Sequence, residues 1–277
     1  MKTNSKQDSI TKTALITGGS SGLGLALARN LGRRGYRLLS LARDCARLDR
    51  AVEQLQAEGF TATGFRGDIT REEQLRQIRS GLEAQALQLD CLVLNAGVVS
   101  PKLLQDFPDT AALRHDLEIN LWGTILCAYI FLPLVKPGGR ILVVSSAFGL
   151  MGPAAYAVYA ASKAGLINFA ESLRRELLGR RITVHVACPA DIDTPQLHRE
   201  HQELPDWFTQ GDPRRAMSAQ RAAERILRKC FRGVFLIIIS FEIHLLNLMN
   251  KLLPRRLRDF CLDRMFPTPG KQHNCTR

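Results

Sequence analysis

Residues 13–24 read TALITGGSSGLG, so that a short apolar run enters a glycine-rich turn without a break. A helical pattern over residues 23–33 begins where the turn ends. Glycine permits positive φ and close backbone approach, and the N–H groups and dipole of a helix N-terminus attract anions. The segment therefore predicts a strand–turn–helix unit that binds the phosphates of a dinucleotide; the alternative is a tight turn without a ligand. The predicted contacts are Thr17, Gly18, Ser20, Ser21, Gly22, Leu23 and Gly24.

Outward from this unit, short apolar runs alternate with helical patterns. Such alternation predicts right-handed βαβ units in a single α/β domain, a Rossmann-type doubly wound parallel sheet of seven strands. The predicted strands are 13–17, 37–41, 62–66, 91–95, 140–145, 183–187 and 234–239, and the main predicted helices are 23–33, 48–57, 72–84 and 166–178. Two uncharged stretches, 119–135 and 141–162, are broken by Asn, Gly, Pro or Ser and are interpreted as buried elements rather than membrane spans.

Composition excludes several classes of protein. The 277 residues are 45% hydrophobic and 23% charged, which argues against a disordered, fibrous or disulfide-stapled chain. The seven cysteines form no CxxC pair, and residues 1–12 lack an apolar stretch, so we expect reduced thiols and a cytoplasmic protein without a signal peptide. No metal site is expected, because His198 and His201 are assigned to a surface loop.

The end of the second predicted strand indicates the cofactor. A site that selects NAD normally places a carboxylate there to hold the 2′-hydroxyl of the adenosine ribose. This chain instead reads Ser40-Leu41-Ala42-Arg43, and the Arg43 guanidinium would pair with a 2′-phosphate. We therefore expect NADPH rather than NAD; Asp44 either weakens that choice or caps the next helix.

Tyr159 and Lys163 are the candidate acid–base pair. Their i, i+4 spacing places both side chains on one face of a helix. A free tyrosine has a pKa of about 10, and a neighbouring ammonium together with an oxidised nicotinamide would draw that pKa toward neutrality. The alternative is an amphipathic helix with one aromatic residue and one surface lysine.

The complete set of motifs resembles the short-chain dehydrogenase/reductase family over residues 12–240. The matching positions are Thr17 to Gly24, Asp68, Asn95-Ala96-Gly97, Asn120, Ser146, Tyr159-x3-Lys163 and Pro189 through Ile192 to Thr194.

The resemblance implies roles for these residues. Tyr159 would protonate the ketone oxygen, Lys163 would lower its pKa and hold the nicotinamide ribose, and Ser146 would hydrogen-bond the substrate carbonyl. Asn120 would complete a proton relay through water. Among the cofactor contacts, Asp68 would meet adenine, Asn95 would support the sheet and the cofactor, and Thr194 would contact the nicotinamide amide. Ser145 would be structural and Tyr156 would lie too early to pair with Lys163.

One string narrows the resemblance further. Residues 189–195 read PADIDTP, which looks like the 3-ketodihydrosphingosine (3-ketosphinganine) reductase branch. This implies NADPH and a long-chain keto substrate. Other readings are a reductase or dehydrogenase of another hydrophobic ketone or alcohol, such as a retinoid, steroid or polyketide, and a non-catalytic NADP-binding regulatory protein. As in relatives, helices over 120–135 and through Tyr159 would form a homodimer or homotetramer.

The formal charge of +12 lies at one end of the chain. Residues 1–213 hold 24 basic and 22 acidic side chains, whereas residues 214–277 hold 14 and 4. We expect a polar lead over 1–11, the NADP-binding catalytic domain over 12–240, and a basic amphipathic helical extension over 241–277. The extension, at 241–266, would bind an anionic membrane surface or pack on the domain or a second subunit. Nucleic acid is not expected, because no recognition motif accompanies the charge.

Trp207 and Phe208, in the polar stretch 191–217, would line a lipid cleft or pack a lid.

Overall fold

A parallel seven-stranded sheet forms the centre of the computed structural model, which describes residues 12–208, 216–266 and 268–269. Its strands are β1 (Lys12–Thr17), β2 (Tyr36–Ala42), β3 (Ala62–Arg66), β4 (Leu89–Leu94), β5 (Val135–Val144), β6 (Thr183–Ala187) and β9 (Leu236–Ile237). They lie in the order β3-β2-β1-β4-β5-β6-β9, and every pair is parallel. Two short strands, β7 (Ile192–Asp193) and β8 (Met217–Ser218), form a separate ladder. The predicted fold class is confirmed.

Helices cover both faces of the sheet. They are α1 (Gly22–Gly32), α2 (Cys45–Ala57), α3 (Glu72–Ala84), α4 (Thr110–Asp116), α5 (Thr124–Phe131), α6 (Ala157–Glu176), α7 (Pro195–Glu203), α8 (Ala219–Phe231), α9 (Phe241–Leu252) and α10 (Arg255–Met265). Alternate residues of each buried strand enter opposite cores, since side chains change face at every step. Leu15 and Leu92 join the core under α3, α5 and α6, whereas Ile16 and Val93 join the core under α1 and α8.

The centre of the sheet is held together at the carboxyl ends of β1 and β4, the point where the strand order reverses. The Thr17 hydroxyl accepts hydrogen bonds from the backbone N–H groups of Asn95, at 2.9 Å, and Ala96, at 3.1 Å. The Asn95 side-chain amide donates back to the Thr17 carbonyl at 3.1 Å. In an open α/β sheet, ligands bind outside this switch point.

Several predicted boundaries differ from the structure. The stretch 191–217, expected to be a polar loop, contains α7, because the Thr194 hydroxyl caps the Leu197 N–H and Pro195 occupies the first helical turn. His198 and His201 therefore lie on a helix, and their assignment to a loop was wrong. Strand β5 begins five residues earlier than predicted. Helix α6 begins at Ala157 rather than at 166; the prediction missed its first turns because they are rich in small residues and lack apolar periodicity. The polar lead 1–11 lies outside the described residues.

The uncharged stretch 119–135 belongs to a continuous helical segment. The segment Thr110–Leu134 is long and apolar enough to cross a membrane, judged by its length and composition alone. Half of its most apolar stretch is buried inside the fold. A π-helical turn, Leu117–Gly123, joins α4 to α5, whose Ile130 and Phe131 lie in the core. The expected buried helix is thus present, and it contains α-helical, π-helical and 3₁₀-helical turns.

The Thr17 hydroxyl provides a test of the junction between β1 and β4. Replacing Thr17 with Val keeps the shape but leaves the N–H groups of Asn95 and Ala96 without this acceptor, and an unpaired buried donor costs about 1–3 kcal/mol. We expect a loss of that size in the free energy of unfolding, measured by urea titration. Thr17→Ser, which retains the hydroxyl, is the control; equal stability of the Val variant and the wild type would contradict the assignment.

Candidate active site

A cleft of about 590 Å³ opens at the carboxyl ends of the strands, from the β1–α1 turn to the C-terminal helices. This volume lies within the usual range of small-molecule sites, about 300–1,000 Å³. The predicted site residues line it, with the exception of Thr17 and Asn120. Those that do are Gly18, Ser20, Ser21, Gly22, Leu23, Gly24, Arg43, Asp68, Asn95, Ala96, Gly97, Ser146, Tyr159, Lys163, Pro189, Ile192 and Thr194.

The glycine turn is shaped for close backbone approach. Gly18 has φ +68° and Gly22 has φ +51°, in the region that favours glycine. A Cβ on Gly24 would lie 2.1 Å from the Gly18 carbonyl oxygen, so no other residue fits there without moving the turn. The turn therefore leads into the N-terminus of α1 with its backbone exposed to the cleft, and these residues fit a dinucleotide pyrophosphate.

Two arginines line the cleft beyond the end of β2. Arg43 is 69% exposed at its side chain, and its Nη1 lies 3.9 Å from Asp68 Oδ2. Arg47, which the sequence did not single out, lies one turn along α2 and also lines the cleft. Asp44 caps α2: it accepts from the Arg47 N–H at 3.0 Å and pairs with Arg47 Nε at 2.7 Å, and these bonds lower the pKa of its carboxyl. Of the two readings left open for Asp44, the structure shows the cap.

Ser146, Tyr159 and Lys163 converge at the middle of the cleft. Ser146 follows β5, and its hydroxyl is hydrogen-bonded to the Tyr159 phenol. Lys163 lies one turn after Tyr159 on α6, with Nζ 5.6 Å from the tyrosine ring and 3.3 Å from the Val144 carbonyl oxygen. Lys163 is only 4% exposed, which excludes the alternative of a surface lysine.

Burial sets the protonation of this pair. Burial raises the pKa of the Tyr159 phenol above its usual value, against the lowering effect of the bond to Ser146. Burial also lowers the pKa of Lys163 to about 8, although the Asp116 carboxylate opposes the shift. The expectation that the Tyr159 pKa is drawn toward neutrality is therefore not met by the protein alone, because desolvation of the phenolate outweighs its neighbours.

Asn120 and Ser145 lie behind the catalytic residues. The Asn120 side chain accepts from the Val98 N–H at 2.8 Å and donates to the Val98 carbonyl at 2.9 Å and the Ser162 hydroxyl at 3.1 Å. These bonds occupy the Asn120 amide, so its side chain positions the Val98 backbone. Ser145 donates to the Lys163 carbonyl at 2.7 Å, in agreement with the structural role expected for it.

An aromatic cluster forms the other side of the cleft. It consists of Phe148, Tyr156, Tyr159, Trp207, Phe208 and Phe266, linked by ring-centroid distances of 4.6–6.5 Å. Tyr156 is buried and donates to Glu200 on α7 at 2.6 Å. Phe208 packs against Tyr156 and also lines the cleft. Both alternatives given for Trp207 and Phe208, a cleft wall and a packing contact, therefore apply to Phe208.

Residues far along the chain complete the cleft wall. Ile243 of α9, Met265 at the end of α10 and Phe266 line its open end. The sequence indicated an apolar pattern in this region but no contact with the site, because contacts between segments a hundred residues apart leave no local periodicity.

The histidines of α7 form no metal site. Within residues 12–208, 216–266 and 268–269, no cluster of three or more His, Cys, Asp or Glu side chains is arranged to hold an ion. His198 instead pairs with Asp193 at 2.8 Å.

Comparison with known proteins agrees with this geometry. The family model described as short chain dehydrogenase matches residues 12–205. The "11-beta-hydroxysteroid dehydrogenase-like 2" of Arabidopsis thaliana is 31% identical over 259 residues, which cover 92% of this chain and 82% of the relative. The 3-oxoacyl-[acyl-carrier-protein] reductase FabG of Escherichia coli is 34% identical over 185 residues, 66% of this chain and 74% of FabG.

Solved structures show the same fold. A short chain dehydrogenase from Burkholderia cenocepacia in complex with NADP is 27% identical, with a TM-score of 0.70 over 83% of this chain and 96% of that one. A short chain dehydrogenase/reductase from Burkholderia phymatum in complex with NAD has a TM-score of 0.76 at 23% identity, over 94% and 98% of the two chains. The glycine turn, the Ser–Tyr–Lys geometry and these matches together place the chain in the short-chain dehydrogenase/reductase family, as an oxidoreductase of the NAD(P)-binding type.

Proposed function

We propose that this enzyme reduces a ketone on a long-chain, lipid-like substrate with NADPH. The observation that carries the proposal is the position of Ser146, Tyr159 and Lys163 in a cleft whose open end is apolar and aromatic. Such a cleft offers a polar centre for the reacting carbonyl and an apolar passage for a chain or ring system attached to it.

The mechanism assigns one task to each of the three residues. The residues of the cleft would hold a dinucleotide whose nicotinamide, when bound, would provide the hydride for the carbonyl carbon. Ser146 and Tyr159 donate hydrogen bonds to the carbonyl oxygen, where negative charge develops, and Tyr159 transfers its phenolic proton to that oxygen. A raised pKa keeps Tyr159 protonated at neutral pH, which suits an acid in the direction of reduction. The Lys163 ammonium, 5.6 Å from the Tyr159 ring, would stabilise the phenolate left behind and would hold the nicotinamide ribose. A proton from water would then restore the Tyr159 phenol.

For the substrate, 3-ketosphinganine is our first candidate. It combines a long apolar chain with a ketone, and the PADIDTP string over 189–195 supports that branch of the family. Names of relatives support a wider class: one is a 3-oxoacyl-[acyl-carrier-protein] reductase and another is hydroxysteroid dehydrogenase-like. A hydrophobic ketone or alcohol of the steroid, retinoid or polyketide type is therefore the second candidate. A non-catalytic regulatory role finds no support in a site with all its proton-transfer groups in place.

NADPH is the proposed cofactor because the cleft carries two guanidiniums where the adenosine ribose would lie. Arg43 and Arg47 both line the cleft there, and the Asp44 carboxylate is engaged by the cap of α2 and by its ion pair with Arg47. An engaged carboxylate is not available to accept from the ribose hydroxyls of NAD.

The expected oligomer and location are also carried as proposals. Trp122, in the π-helical turn, and Tyr129, on α5, are 54% and 64% exposed on one helical segment. Large exposed aromatic residues are typical of protein–protein contacts, which favours a homodimer or homotetramer through this segment. The proposed location of the protein is the cytoplasm or the cytoplasmic face of a membrane.

Tyr159→Phe tests the catalytic assignment. Loss of the proton donor should lower kcat for NADPH-dependent ketone reduction about 10²–10⁴-fold, the usual contribution of a general acid. Turnover is measured as NADPH oxidation with 3-ketosphinganine and a panel of steroid, retinoid and polyketide ketones.

The control is Tyr36→Phe, which removes a hydroxyl at the first residue of β2, away from the carboxyl ends of the strands, and does not line the cleft. This variant should stay within a few-fold of the wild type. If wild-type protein binds NADPH but reduces no ketone of the panel, the proposed activity is wrong.

Substitution of Arg43 and Arg47 by Ala tests the cofactor choice. Each lost charged contact to the 2′-phosphate costs about 1.5–3 kcal/mol, so the KM for NADPH should rise at least about tenfold. The KM for NADH should not rise, because loss of Arg47 also frees the Asp44 carboxylate. Arg50→Ala, an exposed arginine on the same helix that does not line the cleft, is the control. A parallel rise in both KM values would mean that the arginines do not read the phosphate.

The pH dependence should report Lys163. Since burial lowers the pKa of Lys163 to about 8, its ammonium is present at neutral pH and is lost as the pH rises through 8. We expect kcat/KM for NADPH, which reports the free enzyme, to fall above about pH 8, with the Lys163→Met variant low and flat. A wild-type profile that stays level to about pH 10 would contradict a charged role for Lys163.

A further inference from the structure

The C-terminal helix pair α9–α10 presents a large apolar surface to solvent. Exposed large apolar side chains lie on both helices between positions 241 and 265, and Phe241 and Leu252 are exposed to 78% and 71%. The complete set is Phe241, Leu245, Leu248, Leu252, Leu257, Phe260 and Met265. Exposed apolar side chains concentrated on two consecutive helices in this way mark a docking surface.

Helix α9 has two distinct faces. Ile243 and Leu246 pack toward the domain, and Asn250 Nδ2 donates to the Leu150 carbonyl at 3.0 Å. The exposed residues 241, 245, 248 and 252 follow the i, i+4, i+7, i+11 spacing of the opposite face. The helix is therefore already fixed to the domain on one side, and domain packing cannot account for its apolar outer face.

Helix α10 points to the same conclusion. None of its 11 residues is buried, and it follows α9 directly. Helices of this length are marginal in water unless they pack on another surface. A second apolar surface against Leu257 and Phe260 would supply that packing.

Charge distinguishes a membrane from a second copy of the chain. Residues 241–266 carry Lys251, Arg255, Arg256, Arg258 and Arg264 against three acidic side chains, and one of these, Asp259, pairs with both Arg255 and Arg258. A two-fold contact through this patch would bring two basic sets together, which is unfavourable. An anionic lipid surface complements both the apolar face and the arginines around it.

We propose that α9 and α10 lie in the interface of an anionic membrane and connect the catalytic cleft to it. Ile243 on the inner face of α9 and the partly exposed Met265 at the end of α10 line the cleft next to Phe266, while the outer face of α9 would contact lipid. A long-chain ketone then passes from the bilayer along this wall to Tyr159. This second part rests on the proposed ketone reductase activity; the docking itself does not.

The docking test is flotation of the full-length protein with lipid vesicles. Wild-type protein should float with phosphatidylcholine vesicles that contain about 30% phosphatidylserine and not with phosphatidylcholine alone, and high salt should release it. Leu248→Glu/Leu252→Glu and, separately, Arg255→Gln/Arg256→Gln should each reduce binding at least about tenfold. None of these four residues lines the cleft.

Matched controls separate the patch from general surface effects. Leu178→Glu changes a leucine that is 64% exposed before β6, at the opposite end of the sheet, and Arg33→Gln/Arg50→Gln removes two exposed arginines elsewhere. Both should float like the wild type. Equal loss in controls and patch variants, or a wild type that ignores anionic vesicles, overturns the proposal. The proposal is also overturned if light scattering shows an oligomer that dissociates in Leu248→Glu/Leu252→Glu but not in the control variants.

Activity separates the two parts of the proposal. Leu248→Glu/Leu252→Glu should turn over a short, water-soluble ketone at the wild-type rate but lose most of its activity on a long-chain ketone embedded in anionic vesicles. Equal rates on the embedded ketone overturn the delivery route. Vesicle binding without reduction of any ketone leaves docking established and refutes the reductase function.

Discussion

The rest of the structure depends on the contact between the β1–α1 turn and the end of β4. A Cβ at Gly24 would come within 2.6 Å of Asn95 Nδ2, and the Thr17 hydroxyl joins the two strands through the N–H groups of Asn95 and Ala96. Because of this close approach, the N-terminus of α1 faces the cleft at the point where the sheet changes direction. The glycine turn and the centre of the sheet are therefore held by the same contacts. Thr17 does not line the cleft, but its hydrogen bonds position the turn that does.

The catalytic residues show how burial shapes a reaction. Lys163 is almost wholly enclosed, which lowers its pKa to about 8, and the same enclosure raises the pKa of Tyr159. The two shifts have opposite signs because desolvation disfavours an ammonium and a phenolate alike. The result is a protonated acid beside a cation, the arrangement that reduction of a ketone requires. Asn120 and Ser145 keep this geometry from behind, through bonds to Val98 and to the Lys163 carbonyl.

The excess charge of the chain and its exposed apolar helices both lie in the C-terminal part of the sequence. Residues 1–213 are nearly neutral, and the guanidiniums of Arg43 and Arg47 line the cleft beyond the end of β2. After residue 213 basic side chains outnumber acidic ones by 14 to 4; α9 and α10, with five basic and three acidic groups, also expose leucines and phenylalanines. Since Ile243 and Met265 of these helices line the cleft, a surface that binds lipid would also control which ketones reach Tyr159.

The sequence by itself determined the parallel sheet, the glycine turn and the family, because these rest on local spacing: strand alternation, Gly22-x-Gly24, and Tyr159-x3-Lys163. It missed α7, whose start depends on the Thr194 cap, and it placed His198 and His201 in a loop. Only the tertiary structure decided that Asp44 is engaged by Arg47, that the Asn120 amide bonds the Val98 backbone, and that α9 and Phe266 line the cleft. These outcomes depend on contacts between distant segments and on burial, and neither leaves a periodic signal along the chain.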